Sequence, residues 1–370
     1  MTTANKLFTP IKVGHFQLKH RVALAPMTRS RASLDGNVAA TELASKYYGQ
    51  RASEAGTLLI SEGTQVSQQA SGYLRTPGIY STEQVQAWKT VVQAVKDKNC
   101  IFFAQLWHCG RMSHPSFQVD GQLPVAPSAI AATGTCMTKS FEFVPYGAPR
   151  ELTTAEIDEI IQDFVRGAQN AREAGFDGIE LHGANGYLID QFIQDGTNKR
   201  TDKYGGSIQN RMRFLLELLD AVKTVYEPNR IGVRLAPWGN FGGISDSDPK
   251  TTFTTLVQEL NRSHGDLAYL HIVEPGTGDG SDGKFEARQA SKAMRPHWNG
   301  VLISANGYTP ETAQVAVEEG TSDLVAFGRQ FIANPDLPKR IKLGLPLTTP
   351  DVSTFYQGED KGLIDYPFAE

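Results

Sequence analysis

The sequence predicts an α/β chain folded as one (β/α)8 TIM barrel, with an N-terminal hairpin and a long excursion after its third strand. Three observations carry that prediction. Eight short apolar runs alternate with stretches of helical periodicity, which implies parallel strands joined by helical crossovers. The 370 residues are a length such barrels fill as one domain, so residues 1–370 read as a single unit. The segment after the first strand reads Pro26-Met-Thr-Arg-Ser-Arg31, where an open dinucleotide-binding sheet would carry G-x-G-x-x-G.

Taken in order, residues 11–20 alternate around Gly14-His15 and read as a hairpin. Arg21–Met27 is an apolar strand broken by Pro26, and a helix follows near Thr41–Ala55. The second strand is Thr57–Ile60. Ser81-Thr-Glu-Gln84 forms a capping box, after which Val85, Trp88, Val91, Val92 and Val95 keep helical spacing. The third strand is Ile101–Trp107. Residues 108–150 then lose all periodicity, and a segment that long is a lid or an excursion with strands of its own.

Thr153-Thr-Ala-Glu156 is a second capping box, and Ile157, Ile160, Ile161, Phe164 and Ala168 line one helix face. The fourth strand, Gly178–His182, runs into a turn rich in Gly and Asn. A helix spans about Asn210–Tyr226, and the fifth strand is Ile231–Leu235. Asp248-Pro249 opens a helix in the cap-then-proline manner, and the sixth strand is Tyr269–Val273. A Gly/Asp-rich loop at 276–283 leads to a helix ending near Trp298. Strand seven is Val301–Ser304, Thr309-Pro310 starts a helix, and strand eight is Leu324–Phe327. Asn334-Pro335 is expected to begin the last helix.

Composition removes several function classes. A net charge of −4 with both signs spread along the chain argues against nucleic acid or an anionic membrane as partner. No run approaches the ~20 apolar residues of a bilayer span. Cys100, Cys109 and Cys136 are odd in number and lack metal-ligand spacing, which fits reduced thiols and a cytoplasmic location. His108, Cys109 and His114 find no fourth zinc ligand at ordinary spacing, so no metal is expected.

In such barrels the chemistry gathers at the carboxyl ends of the strands. Those ends carry Thr28, Gly63, Gln105 with Trp107, His182 with Asn185 and Tyr187, Arg234, Asn306-Gly307 and Gly328-Arg329. The last two sets follow strands seven and eight, where backbone N–H groups commonly hold a phosphate. The set is rich in hydrogen-bond donors and poor in nucleophiles, which points to a bound cofactor as the source of the chemistry. Trp107 shares a strand face with Gln105. Glu62, Glu180 and His271 are expected to pair inside the barrel, and the 200–206 stretch to brace a loop and a helix start.

Six segments, P-M-T-R-S-R-A (26–32), A-Q-L-W-H-C-G-R (104–111), the run 175–188, R-T-D-K-Y-G-G-S-I-Q-N-R (200–211), G-V-R-L-A-P (232–237) and F-G-R (327–329), closely resemble the Old Yellow Enzyme family. The resemblance covers nearly the whole chain. It implies an FMN-bound barrel that takes hydride from NADPH or NADH and passes it to an electron-poor alkene. Pro26, Met27, Thr28 and Gly63 would lie about the flavin, with Thr28 bonding O4. Gln105 would meet the pyrimidine edge and Arg234 the N1/O2 side, with His182 also among the cofactor-binding residues. Asn306, Gly307, Gly328 and Arg329 would hold the phosphate, Asn306 through its backbone because the family usually has Gly or Ala there. His182 and Asn185 would bind the substrate's carbonyl or nitro oxygen while flavin N5 delivers hydride to the β-carbon. Tyr187 would protonate the α-carbon, with Trp107 lining the pocket and Tyr356 closing over it. Thr28 places the chain in the N-ethylmaleimide reductase-like branch, where another branch carries Cys.

The implied activity is reduction of α,β-unsaturated carbonyls, maleimides or nitroalkenes, with a monomer or homodimer as the assembly. Two alternatives stand beside it: nitrate-ester or nitro-compound reduction on the same scaffold, and a flavin binder without turnover.

Overall fold

Strict alternation along each barrel strand decides what fills the barrel and what packs outside it. A computed structural model describes residues 5–276 and 290–370. Its eight parallel strands are Val22–Leu24, Leu58–Ile60, Ile101–Trp107, Gly178–Gly183, Ile231–Leu235, Tyr269–Val273, Leu302–Ala305 and Leu324–Phe327. Each pairs with the next, and the eighth returns to the first with Phe327 opposite Leu24, so the sheet closes.

On the third strand Phe102, Ala104 and Leu106 join the outer core beneath the helices, while Phe103 belongs to the inner core and Trp107 to a cluster at the mouth. The same division runs round the barrel. Ile179, Leu181, Val233, Leu270 and Val325 face the helices, and Ala23, Leu58, Ile60, Tyr269, Ile303 and Leu324 fill the interior. The hairpin of Ile11–Val13 and Phe16–Leu18 plugs the amino-terminal end. Val13 and Leu18 enter the inner core, and the Phe16 ring meets Phe103 edge-on at 5.9 Å. Two glycines make room there. A Cβ on Gly178 would stand 2.5 Å from the Phe103 ring, and one on Gly232 would stand 2.3 Å from that of Tyr269.

Both capping boxes form, at Ser81 with Gln84 and at Thr153 with Glu156. The helix Thr154–Ala174 buries Ile157, Ile160, Ile161, Phe164 and Ala168, and ends at the left-handed Gly175. The 108–150 excursion has strands of its own. Thr135–Met137 pairs antiparallel with Phe143–Pro145, and Val125–Ala126 lies parallel to Arg150–Glu151. Arg200 braces it, donating to the carbonyl of Pro127 at 3.0 Å and that of Leu152 at 2.5 Å.

Several boundaries differ from expectation. The first strand stops at Leu24, two residues before Pro26, whose missing N–H cannot extend a ladder. The helix expected over 210–226 is two pieces, Ile208–Arg211 and Arg213–Val222. Asn334-Pro335 does not begin the last helix. It separates Arg329–Ala333 from Leu337–Leu343, because the residue before proline is pushed out of the helical region. The Gly/Asp-rich loop lies, from 277 to 283, outside the described residues. Among the described residues no helix is long and apolar enough to cross a membrane.

Two substitutions on one helix test the balance of packing and capping. Phe164→Ala should lower unfolding free energy by about 3–5 kcal/mol, against about 1 kcal/mol for Thr153→Ala, with urea midpoints falling in that order.

Candidate active site

Parallel register brings the polar side chains to one level. Gln105 lies opposite Glu180, His182 opposite Arg234, and Arg234 opposite His271. These groups form a belt above the apolar floor of Phe103 and Tyr269. Gln105 Nε2 donates to Glu180 Oε1 at 2.7 Å, and Glu180 Oε2 meets His271 Nδ1 at 2.8 Å. Glu180 and His271 thus pair inside the barrel, as expected. Burial pushes the Glu180 carboxyl up, but His271, Arg234 and Gln105 together outweigh it and hold the group below its usual range. It stays a carboxylate.

Burial also drives the His182 imidazole well below its ordinary pKa, with Arg234 and His271 adding to the effect, so the ring is neutral at pH 7. His182 Nδ1, Arg234 Nε and Trp107 Nε1 are buried and have no hydrogen-bond partner among the described residues. Buried polar atoms are normally satisfied, so three orphans at one mouth mark a place where a ligand completes the bonding.

Past the fourth strand the chain turns through Asn185 at φ +58° and Gly186 at φ +75°. The helix that follows clamps this turn. Asp190 accepts from the Gly186 N–H at 2.9 Å, and Gln191 donates to the Gly186 carbonyl at 2.7 Å. Tyr187 is thereby brought over the mouth. Its ring meets His182 at 5.1 Å and Trp107 at 4.9 Å, both edge-on, and its hydroxyl donates to that of Tyr73 at 3.3 Å. Burial raises the phenol far above its usual value, which keeps it protonated through neutral and mildly alkaline pH. Tyr73 stacks on Trp107 at 5.5 Å. Cys136 and Tyr146, from the excursion, pack into the same cluster, so the excursion covers the mouth.

The remaining candidates fall in three places. Gly63 backs onto Trp107, where a Cβ would stand 2.6 Å from the indole, so a larger side chain would displace that ring first. Met27 and Gly328 meet where the first and eighth strands adjoin, a Gly328 Cβ falling 2.5 Å from Met27 Sδ. Pro26 is buried and Thr28 half-buried beside them. Asn306 and Gly307 are both left-handed, and the Asn306 amide donates to the Glu274 carbonyl at 2.8 Å. The half-buried Arg329 forms no salt bridge among the described residues.

Tyr356 is 62 % exposed and lies outside the ring cluster at the mouth. Its segment is nonetheless fastened to the Thr28 loop. Arg29 donates to the carbonyls of Phe355 and Gly362, and Arg31 to those of Thr354 and Phe355. His108 accepts from the Gly110 N–H, and His114 caps a turn at Ser116. Tyr73, Asp190 and the anchoring roles of Arg29 and Arg31 escaped the sequence reading. The first lies in an aperiodic loop, Asp190 acts on a turn four residues before it, and the two arginines act through contacts distant in the chain.

A family model described as the NADH:flavin oxidoreductase / NADH oxidase family matches residues 6–348. The chain is 47% identical over 365 residues to 12-oxophytodienoate reductase 1 of Oryza sativa subsp. japonica, covering 98% of this chain and 93% of that one. It is 44% identical over 366 residues to 12-oxophytodienoate reductase 2 of Arabidopsis thaliana, covering 98% and 96%. The solved structure of morphinone reductase superposes with a TM-score of 0.91 at 45% identity, covering 100% of this chain and 98% of that one. A complex of morphinone reductase with tetrahydroNAD gives 0.90 at the same identity, covering 98% of each. The chain belongs to the NADH:flavin oxidoreductase family, the Old Yellow Enzyme group. It is an FMN-dependent oxidoreductase with a nicotinamide as reductant.

The clamp on the turn carries a pH signature. Burial pushes the Asp190 carboxyl up to about 7, against the hydrogen bonds from Gln194 and Gly186. A raised folded-state pKa gives stability that is complete below the unfolded value and lost as pH rises through the folded one. Wild type should therefore lose thermal stability relative to Asp190→Asn between pH 4 and 7. Parallel melting curves across that window check the sign.

Proposed function

We propose that the chain reduces the C=C bond of α,β-unsaturated carbonyl, maleimide or nitroalkene substrates, acting as one FMN-binding barrel unit over residues 1–370. The observation that carries the reading is the pair of orphaned atoms, His182 Nδ1 and Arg234 Nε, buried on adjacent strands in register. The residues present fit the cofactor. Thr28, Gln105 and Arg234 offer a hydroxyl, an amide and a cation to a flavin ring, and Pro26, Met27 and Gly63 border it. Asn306, Gly307, Gly328 and Arg329 offer backbone N–H groups and a guanidinium to its phosphate.

When bound, FMN supplies the hydride chemistry between a nicotinamide and the alkene. The chain's own residues do the rest. Neutral His182 and Asn185 donate hydrogen bonds to the substrate's carbonyl or nitro oxygen, where negative charge develops as the alkene is reduced. Trp107, Tyr73 and Tyr187 wall the site with rings and, with the excursion, exclude water. Tyr187 holds its proton at Oη, 3.3 Å from Tyr73 Oη, and gives it to the α-carbon. Burial keeps that proton in place until the carbon demands it. Tyr356, on a segment anchored beside the Thr28 loop, closes the outer side when substrate enters.

The same orphaned donors favour ligands with an oxygen to receive them. The names of the relatives, 12-oxophytodienoate reductase and morphinone reductase, support trying carbonyl compounds first as substrates.

The visible spectrum of the purified protein tests this directly. Flavin absorbance should bleach with anaerobic NADH or NADPH and return on adding an enone; a protein that cannot take up FMN refutes the reading. His182→Ala with Asn185→Ala should keep FMN, weaken phenol binding, and lower kcat/KM by about 10²–10³ or more. Tyr187→Phe should slow alkene turnover by about 10²–10⁴ while flavin reduction by the nicotinamide, followed by stopped flow, stays near wild type.

A further inference from the structure

We propose that Glu180 is a positioning residue for the cofactor: its carboxylate fixes which way round the Gln105 amide stands, and its charge tempers the Arg234 cation beside the flavin. The inference rests on the reading of Gln105 and Arg234 as flavin-holding residues.

Glu180 is wholly buried at the centre of the polar belt, with Oε1 taken by Gln105 Nε2 and Oε2 by His271 Nδ1. An ionised carboxylate only accepts, so the Gln105 side chain must turn its NH₂ towards Glu180. Its carbonyl oxygen and second N–H are then left for a ligand. The Gln105 backbone is pinned as well, its N–H donating to Ser61 Oγ at 2.9 Å. Both ends of the residue are held, which is what an amide needs if it is to meet a heterocycle in one orientation.

The charge has a separate consequence. Arg234 lies one strand away, buried, with its Nε unpartnered. Glu180 is the foremost group favouring that cation against the burial that opposes it. A carboxylate this deep is costly, and packing alone does not require it, since apolar side chains fill the layer just below. Neutralising it leaves Arg234 unopposed. Negative charge on the reduced flavin is then favoured, and the midpoint potential rises.

Two variants separate the roles. Glu180→Gln removes the charge and allows the Gln105 amide to stand either way. Glu180→Asp keeps the charge but is one methylene too short to reach both partners. For Glu180→Gln, we expect FMN to bind about tenfold more weakly and its midpoint potential, read by spectroelectrochemistry, to move positive. For Glu180→Asp, we expect a similar loss of affinity with a potential close to wild type. Wild-type affinity and potential in a folded Glu180→Gln overturn the proposal. If that variant does not fold, Glu180→Asp decides: weakened FMN binding upholds the proposal and wild-type binding overturns it. Failure of the underlying reading looks different, because wild type itself would then take up no FMN.

Discussion

The mouth of the barrel depends on the parallel register between the third and fourth strands. Phe103, Gln105 and Trp107 project inward from one, and Gly178, Glu180 and His182 from the other, with Phe103 opposite Gly178 and Gln105 opposite Glu180. A slip of the third strand by one residue would turn its inward side chains into the helix layer and bring Ala104 and Leu106 inside. The floor prevents it. Phe103 occupies space that only glycine at 178 leaves open, so the apolar layer fixes the register and the polar layer inherits it.

The interior is therefore stacked by chemistry. The hairpin and the inner core supply burial at the base, where about 25 cal/mol per Å² of apolar surface favours folding. Above it lies the Gln105–Glu180–His271 chain with Arg234, buried and charged. At the top stand the rings of Trp107, Tyr73 and Tyr187, closed over by Cys136 and Tyr146. Each layer prepares the next. The floor sets register, the belt presents donors of fixed orientation, and the rings lower the water content of the space those donors face.

Much of this was legible in the sequence because it is local. The eight strands follow from short apolar runs, the capping boxes from four-residue patterns, and Trp107 beside Gln105 from period-2 alternation. The pairing of Glu180 with His271 could be anticipated from their places on strands. What could not be read was set by contacts between distant segments. Asn334-Pro335 resembles a helix start, yet here it ends one helix before another begins. Tyr73 reaches Trp107 from an aperiodic loop. Gly63 backs onto the Trp107 indole, a contact between two segments that no local pattern announces. Arg29 and Arg31 sit in a segment quoted for its resemblance, and nothing local says that their partners are carbonyls more than three hundred positions away.

That last feature bears on how the protein comes into being. The guanidinium groups of Arg29 and Arg31 are buried, and their acceptors lie on residues 354–362. During synthesis those acceptors emerge after all eight strands have left the ribosome. Until then the loop bearing Thr28 carries two cations without their partners, an arrangement that favours solvent over burial. The barrel wall needs none of these contacts to close, whereas the Thr28 loop needs them to bury its two cations. The Thr28 loop is thus completed by a segment more than three hundred positions further along the chain, and residues 354–362 serve as its latch.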